Sequence, residues 1–288
     1  MRPLFNLKPS TSTTPSLLRH NGRVPDGESV LADAEAHLLV SSYVCDTFKI
    51  FVGYPAAARD DEFAEVVYLS DANGHFGSAV DTVWGLVRAG RVPPTLIIGL
   101  GYQEARLRAD SAVRMRDLIP PAPGSASPFL DFLELEVKPW VRDRFRVHSA
   151  RTTYFGHSLG GLLGAHALLT SPASFDRYVL SSPSLWWEDY RMLAREEAWA
   201  AAHHDLPSEV FIGVGGAETA TPRLLPSSAG PTAPRRDMVG DVREFAGRLA
   251  ARGYPSLRLS CVVFPDEIHE TTAQRALSRG VRELLGRS

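Results

Sequence analysis

The chain has only two cysteines, no run of basic residues and no long apolar run among its 288 residues. Cys45 and Cys261 lie inside apolar stretches, YVC and LSCVVF. They are expected as buried free thiols in a reducing compartment rather than as a disulfide. The formal net charge is −2, and without a basic stripe nucleic acid is excluded as the expected partner. The opening residues, MRPLFNLKPSTSTTPSLLRHNG, hold no apolar core of signal-peptide length, and no stretch is long enough to span a bilayer. These absences predict a soluble cytoplasmic chain with no membrane partner. The sequence also lacks an internal repeat and a linker that would divide it.

What is present is 44% hydrophobic sequence, at a length that suits one large α/β domain. Residues 1–30 are rich in Pro, Ser, Thr and Gly and read as an N-terminal arm, leaving 31–288 as a single domain. HLLVSSYV (37–44) and TFKIFVGYP (47–55) predict an antiparallel hairpin turning at Cys45-Asp46. Buried strands are expected in EVVYLSD (65–71) and PTLIIGLGY (94–102), a strand and loop in DRYVLSSPS (176–184), and strands in TTYFG (152–156), EVFIGVGG (209–216) and SLRLSCVVFP (256–265). Helical spacing falls at 78–90, at 127–145 with a kink at Pro139, and at 159–170, 186–204, 237–253 and 271–286. This alternation predicts a mostly parallel sheet with an antiparallel N-terminal hairpin and helices on both faces. Two polar, proline-rich segments, about 103–127 and 218–236, read as exposed, lid-like excursions.

Gly156-His157-Ser158-Leu159-Gly160 is a G-x-S-x-G pattern. A strand runs into it and a helix leaves it, which is the context its chemistry needs. A sharp, strained turn pushes the serine hydroxyl out at the end of the sheet, and the glycines let neighbouring backbone pass closely. The competing reading is a glycine-rich packing turn. Ser158 is the candidate nucleophile. His157, its neighbour, is not expected to transfer protons.

A serine hydroxyl needs a positioned base. In a strand–elbow–helix architecture the order along the chain is serine, acid, histidine. His166, His203, His204 and His269 follow Ser158. His166 falls inside the helix after the elbow, and His203 and His204 close a polar helix. His269 sits in FPDEIHETT, after the last strand and just before the last helix, where a base belongs. The acid should follow an intervening strand, and EVFIGVGGAE ends on Glu218. Glu218 would hold the His269 ring in the correct tautomer. Asp266 and Glu267, beside His269, are rivals.

Acyl transfer needs two donors aimed at the developing oxyanion. The Leu159 N–H is one. The other should come from VVYLSDANGHF (66–76), where Ala72 or Asn73 is the expected donor. Trp186 and Trp187, in SSPSLWW, either wall a substrate pocket or pack a helix onto the sheet. Residues 101–120 carry Arg106, Arg108, Arg114 and Arg116, which are either solvated charge or a cationic wall for an anionic substrate. Tyr102 and Arg114 join the two tryptophans as expected substrate contacts.

With these residues in place, the chain resembles the putative-esterase branch of the α/β-hydrolase superfamily. That branch includes siderophore trilactone esterases, S-formylglutathione hydrolases, feruloyl esterases and mycolyltransferases. The resemblance spans most of 37–285 and rests on VVYLSDAN, IIGLGY, the R-x-x-D of Arg114 and Asp117 with Pro120, FLDFLELEVKPWV, YFGHSLGG, SSPSLWW and the E-x-H of Glu267 and His269. IIGLGY with R-x-x-D is most similar to the siderophore esterase subgroup. The resemblance implies an α/β-hydrolase fold, Ser158 and His269 as nucleophile and base, Glu218 as acid, and the Asn73 and Leu159 amides as oxyanion hole. Some members of the subgroup work with a Ser–His pair and little help from an acid. The chain departs from the family in IPPAPGSASP and in 221–236, both bordering the expected pocket. The expected function is a serine esterase with no metal or cofactor, acting on a small-molecule ester of siderophore or aryl-acyl type. Passing the acyl group to an alcohol or amine would instead make an acyltransferase or cyclising enzyme. A non-catalytic binding protein on the same fold would be expected to lack one of Ser158, Glu218 and His269, and all three are present.

Overall fold

A computed structural model describes residues 34–54, 62–103, 111–125, 127–219 and 236–286. The expected arm at 1–30, Arg106, Arg108 and most of 218–236 lie outside the described residues. Eight strands among the described residues form one sheet in the order β1-β2-β4-β3-β5-β6-β7-β8. The predicted hairpin is β1 (Ala34–Ser41) and β2 (Asp46–Gly53), paired antiparallel. β2 is also antiparallel to β4 (Thr95–Tyr102). The rest is parallel: β4 pairs with β3 (Glu65–Leu69), which pairs with β5 (Arg151–His157), followed by β6 (Arg177–Ser181), β7 (Glu209–Gly215) and β8 (Arg258–Phe264).

The helices in chain order are α1 (Ala72–Arg88), α2 (Ala112–Leu118), α3 (Pro128–Phe132), α4 (Lys138–Arg142), α5 (Leu159–Thr170), α6 (Trp187–Ala202), α7 (Met238–Ala251) and α8 (His269–Leu285). α1 and α8 cover one face of the sheet. α5, with α3, α4 and α7, covers the other. The period-two geometry of a strand explains why the central strands are apolar throughout. In β3, Val67 and Leu69 enter the α1/α8 core, while Val66 and Tyr68 enter the α5 core. This is the mostly parallel, helix-covered sheet expected from the alternating pattern, and the α/β-hydrolase architecture that the resemblance implies.

Several expectations are corrected. α1 starts at Ala72 rather than 78, because Ala72-Asn73-Gly74-His75 supplies the first helical turn, where N–H groups lack intrahelical partners anyway. Around Pro139 the helix does not run on as one continuous α-helix. A π-helical turn at Leu133–Val137 joins α3 to α4 directly before it, and this wider turn accommodates the ring. The excursion at 103–127 is not wholly exposed, since α2 buries Arg114, Asp117 and Leu118. The helix at 186–204 is broken in its first turn, where Glu188, Asp189 and Tyr190 take φ values of 49°, 53° and 61°. Both cysteines are exposed. Cys45 occupies the hairpin turn with φ 56°, and Cys261 lies on the outermost strand, β8. Apolar neighbours in sequence do not bury a residue at a turn or on a sheet edge.

Candidate active site

β5 lies at the centre of the sheet between β3 and β6, and it ends at His157. Ser158 follows with φ 60° and ψ −115°, and α5 begins at the next residue. That backbone conformation is costly for serine, on the order of 1–3 kcal/mol, and persists only when its surroundings fix it. Here the Ser158 N–H donates to the Ser181 carbonyl at 2.9 Å, and the Ser158 carbonyl accepts from Leu162 N–H at 3.0 Å and Ser184 N–H at 3.1 Å. A Cβ on Gly156 would strike the Gly160 carbonyl, and one on Gly160 would strike Ser70 Oγ. The turn therefore closes only with glycine at both places. Ser158 Oγ shares a hydrogen bond with Ser184 Oγ at 3.3 Å.

Glu218 and His269 come from the ends of two neighbouring strands. Glu218 follows β7, and His269 is the first residue of α8 rather than a loop residue. His269 Nδ1 lies 2.6 Å from Glu218 Oε2. The other carboxylate oxygen, Oε1, accepts from Ser182 Oγ at 2.6 Å, Gly215 N–H at 2.8 Å and Thr272 Oγ1 at 3.1 Å. Burial alone would raise this carboxyl's pKa. The hydrogen bonds from His269, Ser182 and Gly215 outweigh burial and hold it below its ordinary value of 4.5. Ser182 reaches Glu218 from a left-handed position, φ 39°.

The His269 ring lies against His157, centroid to centroid 4.5 Å, and His75 stands edge-on to His157 at 5.6 Å. His157 Nδ1 bonds Ser181 Oγ at 3.0 Å. Burial, reinforced by the charges of His269, His75 and Arg114, pushes the His157 pKa well below the usual histidine value. His157 therefore stays neutral and serves as a wall for His269. Ser182, Ser184, Thr272 and His75 were not singled out by sequence reasoning. SSPSLWW drew notice for its tryptophans, and nothing in its spelling marks the left-handed Ser182.

The remaining predicted site residues divide. Leu159 provides the first N–H of α5, at the positive end of that helix. Asn73 lies in the first turn of α1, and its side chain grips the end of β4: Nδ2 donates to the Tyr102 carbonyl at 3.0 Å and Oδ1 accepts from Tyr102 N–H at 2.7 Å. Gly101 leaves the room this clamp needs, since a Cβ there would collide with Asn73 Oδ1. Tyr102 is not an open substrate contact. Its ring packs on Phe48 at 5.8 Å in the core and is 6% exposed. Arg114 is not an open cationic wall either, because its Nε and Nη2 donate to the two oxygens of Asp71 at 2.8 and 2.9 Å. Trp186 and Trp187 are half-buried and in contact at 5.3 Å, and the Arg236 guanidinium lies 3.1 Å above the Trp186 ring.

The rivals lie elsewhere. Glu267 pairs with Arg275 at 2.6 Å, and Asp266 is exposed. His166 accepts from Arg195 at 3.1 Å, and burial, with the Arg195 charge, pulls its pKa down to about 4. His203 stacks on Trp199 at 3.6 Å, and His204 is exposed. Among the described residues no group of three or more His, Cys, Asp or Glu is arranged to hold a metal ion. No described helix is long and apolar enough to cross a membrane.

Comparison with known proteins places this geometry in a family. The chain is 32% identical to the siderophore triacetylfusarinine C esterase of Aspergillus fumigatus, covering 82% of this chain and 88% of that one. It is 27% identical to the ferri-bacillibactin esterase BesA of Bacillus subtilis, covering 87% of this chain and 89% of that one. Among solved structures it is similar to the siderophore hydrolase EstB of Aspergillus nidulans, with TM-score 0.76, 27% identity, and coverage of 90% of this chain and 97% of that one. Residues 41–253 match the profile of the family described as Putative esterase, a span that includes Ser158 and Glu218 and stops short of β8 and His269. The chain belongs to that putative esterase family of the α/β-hydrolase fold and is a carboxylic ester hydrolase.

Proposed function

We propose that the chain hydrolyses a siderophore-type ester through an acyl-enzyme on Ser158. The observation that carries this reading is the 2.6 Å His269–Glu218 pair, whose imidazole lies against His157, the residue before a serine held at φ 60°. With Nδ1–H donated to Glu218, His269 Nε2 carries the lone pair that accepts the Ser158 proton. The Ser158 oxygen attacks the ester carbonyl, and the tetrahedral oxyanion forms against the Leu159 amide and the amide of Asn73 or Ala72. His269 returns the proton to the departing alcohol. It then takes one from water, which attacks the acyl-serine, and returns it to Ser158 Oγ as the acyl–oxygen bond breaks and the acid leaves. Glu218, pinned through Oε1 by Ser182, Gly215 and Thr272, keeps its other oxygen on the imidazole through both half-reactions.

The substrate class is supported by relatives named for triacetylfusarinine C, bacillibactin and enterobactin. The Trp186–Trp187 pair, capped by Arg236, suits a flat or acyl group beside the nucleophile. The test is mass spectrometry of products from cyclic and linear siderophore esters, with wild type and Ser158→Ala, with and without added alcohols. Free acids from wild type and none from the variant support the reading. Unchanged hydrolysis by Ser158→Ala overturns the nucleophile, and products esterified to the added alcohol favour an acyltransferase.

A further inference from the structure

Asp71 is the residue on which the oxyanion turn hangs. It lies two residues beyond the end of β3, carries φ 54° and ψ 37°, and immediately precedes Ala72 and Asn73. A non-glycine residue is held in the left-handed region only at a cost, so something must fix it there. Asp71 stands at the N-cap position of α1, yet its side chain makes no cap hydrogen bond. Its carboxylate is engaged by Arg114 in a two-point pair at 2.8 and 2.9 Å, with both side chains nearly dry, at 10% and 13% exposure. A bidentate guanidinium–carboxylate pair fixes orientation as well as distance, and with little water around it that constraint is strong. The carboxylate also borders the elbow, since Asp71 Oδ2 is 3.7 Å from where a Gly160 Cβ would stand. Arg114 comes from α2, which is capped by Ser111 and packs on the nucleophile helix α5.

We propose that Arg114 is a positioning residue. Through Asp71 it locks the left-handed turn that aims the Ala72 and Asn73 amides at the developing oxyanion, so the 111–118 segment completes the oxyanion hole instead of binding an anionic substrate. This rests on the acyl-enzyme reading of Ser158.

The test uses the full chain with Arg114→Met, Arg114→Lys and Asp71→Asn, assayed on a small neutral aryl ester, with Ser158→Ala as control. The second readout is the rate of labelling by a fluorophosphonate, whose phosphoryl oxygen takes the oxyanion's place. Arg114→Met is expected to lower kcat about 100-fold, in the range seen when an oxyanion donor is lost, with KM within about twofold. Labelling should slow in step. Arg114→Lys should recover only part of the rate, because an ammonium cannot grip both oxygens. If Arg114→Met fails to fold, Asp71→Asn carries the test, since asparagine tolerates the left-handed region and keeps the volume. A raised KM with kcat and labelling intact assigns Arg114 to substrate binding and overturns the proposal, as does no change in a chain that Ser158→Ala inactivates. Full activity in Ser158→Ala removes the acyl-enzyme reading itself, and this inference falls with it.

Discussion

At the residue scale the site is a set of hydrogen bonds converging on one carboxylate. Glu218 accepts three bonds on Oε1 and shares one with His269 on Oε2. Glu218→Gln would place an amide NH2 against these donors or against the imidazole N–H. It should lower kcat by about 10³–10⁴ through the wrong tautomer, measured on any ester the wild type turns over. The carboxyl sits below its ordinary 4.5 when folded. Its contribution to stability is therefore complete above that value and is lost as pH falls through the depressed folded value. Thermal melts should show Glu218→Gln less stable than wild type at neutral pH, and the gap should narrow as the pH falls below 4.5. A constant gap would detach Glu218 from the ionised pair. Glu218 was legible because chain order narrowed the search to the end of one strand. Its three Oε1 partners were not, because a left-handed Ser182 and a helical Thr272 meet only in the folded chain. Arg114 was legible as important, and its partner was not. Sequence shows a charge, while only the fold shows Asp71 opposite it.

At the element scale the strand-to-helix order was plain in the sequence, and the exceptions share a cause: local signals were overruled by what lies nearby in space. Asp-Ala-Asn-Gly (71–74) is made of turn-forming residues, yet Asn73 bonds the end of β4 and the chain coils as helix from Ala72. α5, by contrast, matches the helix expected at 159–170, with every residue from Leu159 to Leu169 buried. Leu163→Ala, at a fully buried site, should cost about 2–5 kcal/mol in denaturant unfolding. A loss below 1 kcal/mol would mean the site collapses around the gap. The start of α7 carries an acidic strain of its own. Burial, with Asp237 and Glu244 nearby, lifts the Asp241 pKa to about 6 against a hydrogen bond from Tyr190. Because the folded chain holds this proton more tightly than the unfolded one, stability should fall as pH rises from about 4 through 6. Asp241→Asn should remove that slope and stabilise the chain at pH 7 by on the order of 1 kcal/mol, screened as the group is. Matched melts at pH 5 and 7 decide it.

At the scale of the whole molecule, sheet order separates what sequence leaves ambiguous. Cys45 turns the hairpin at one edge of the sheet and Cys261 rides the strand at the other, six strands away in the order β2-β4-β3-β5-β6-β7-β8. With neighbouring strands about 4.8 Å apart, the thiols are far beyond disulfide reach. Oxidation should therefore give no intrachain crosslink by mass spectrometry, and reductant should leave the melting temperature unchanged. An intrachain bridge would contradict the sheet order. The fold itself was legible because alternating β and α patterns allow few arrangements, and the parallel order follows from right-handed crossovers.

The burial of α5 has a consequence for how the molecule fails. The amides of its interior turns should exchange with deuterium only on global opening, because Leu162 to Leu169 are all buried. The seven-residue α2, which carries Arg114, has no such protection. Brief local release of α2 would misalign the oxyanion turn while nucleophile, sheet and melting curve stay intact. Catalytic competence and foldedness are thus separate properties of this chain, with separate lifetimes under heat or denaturant.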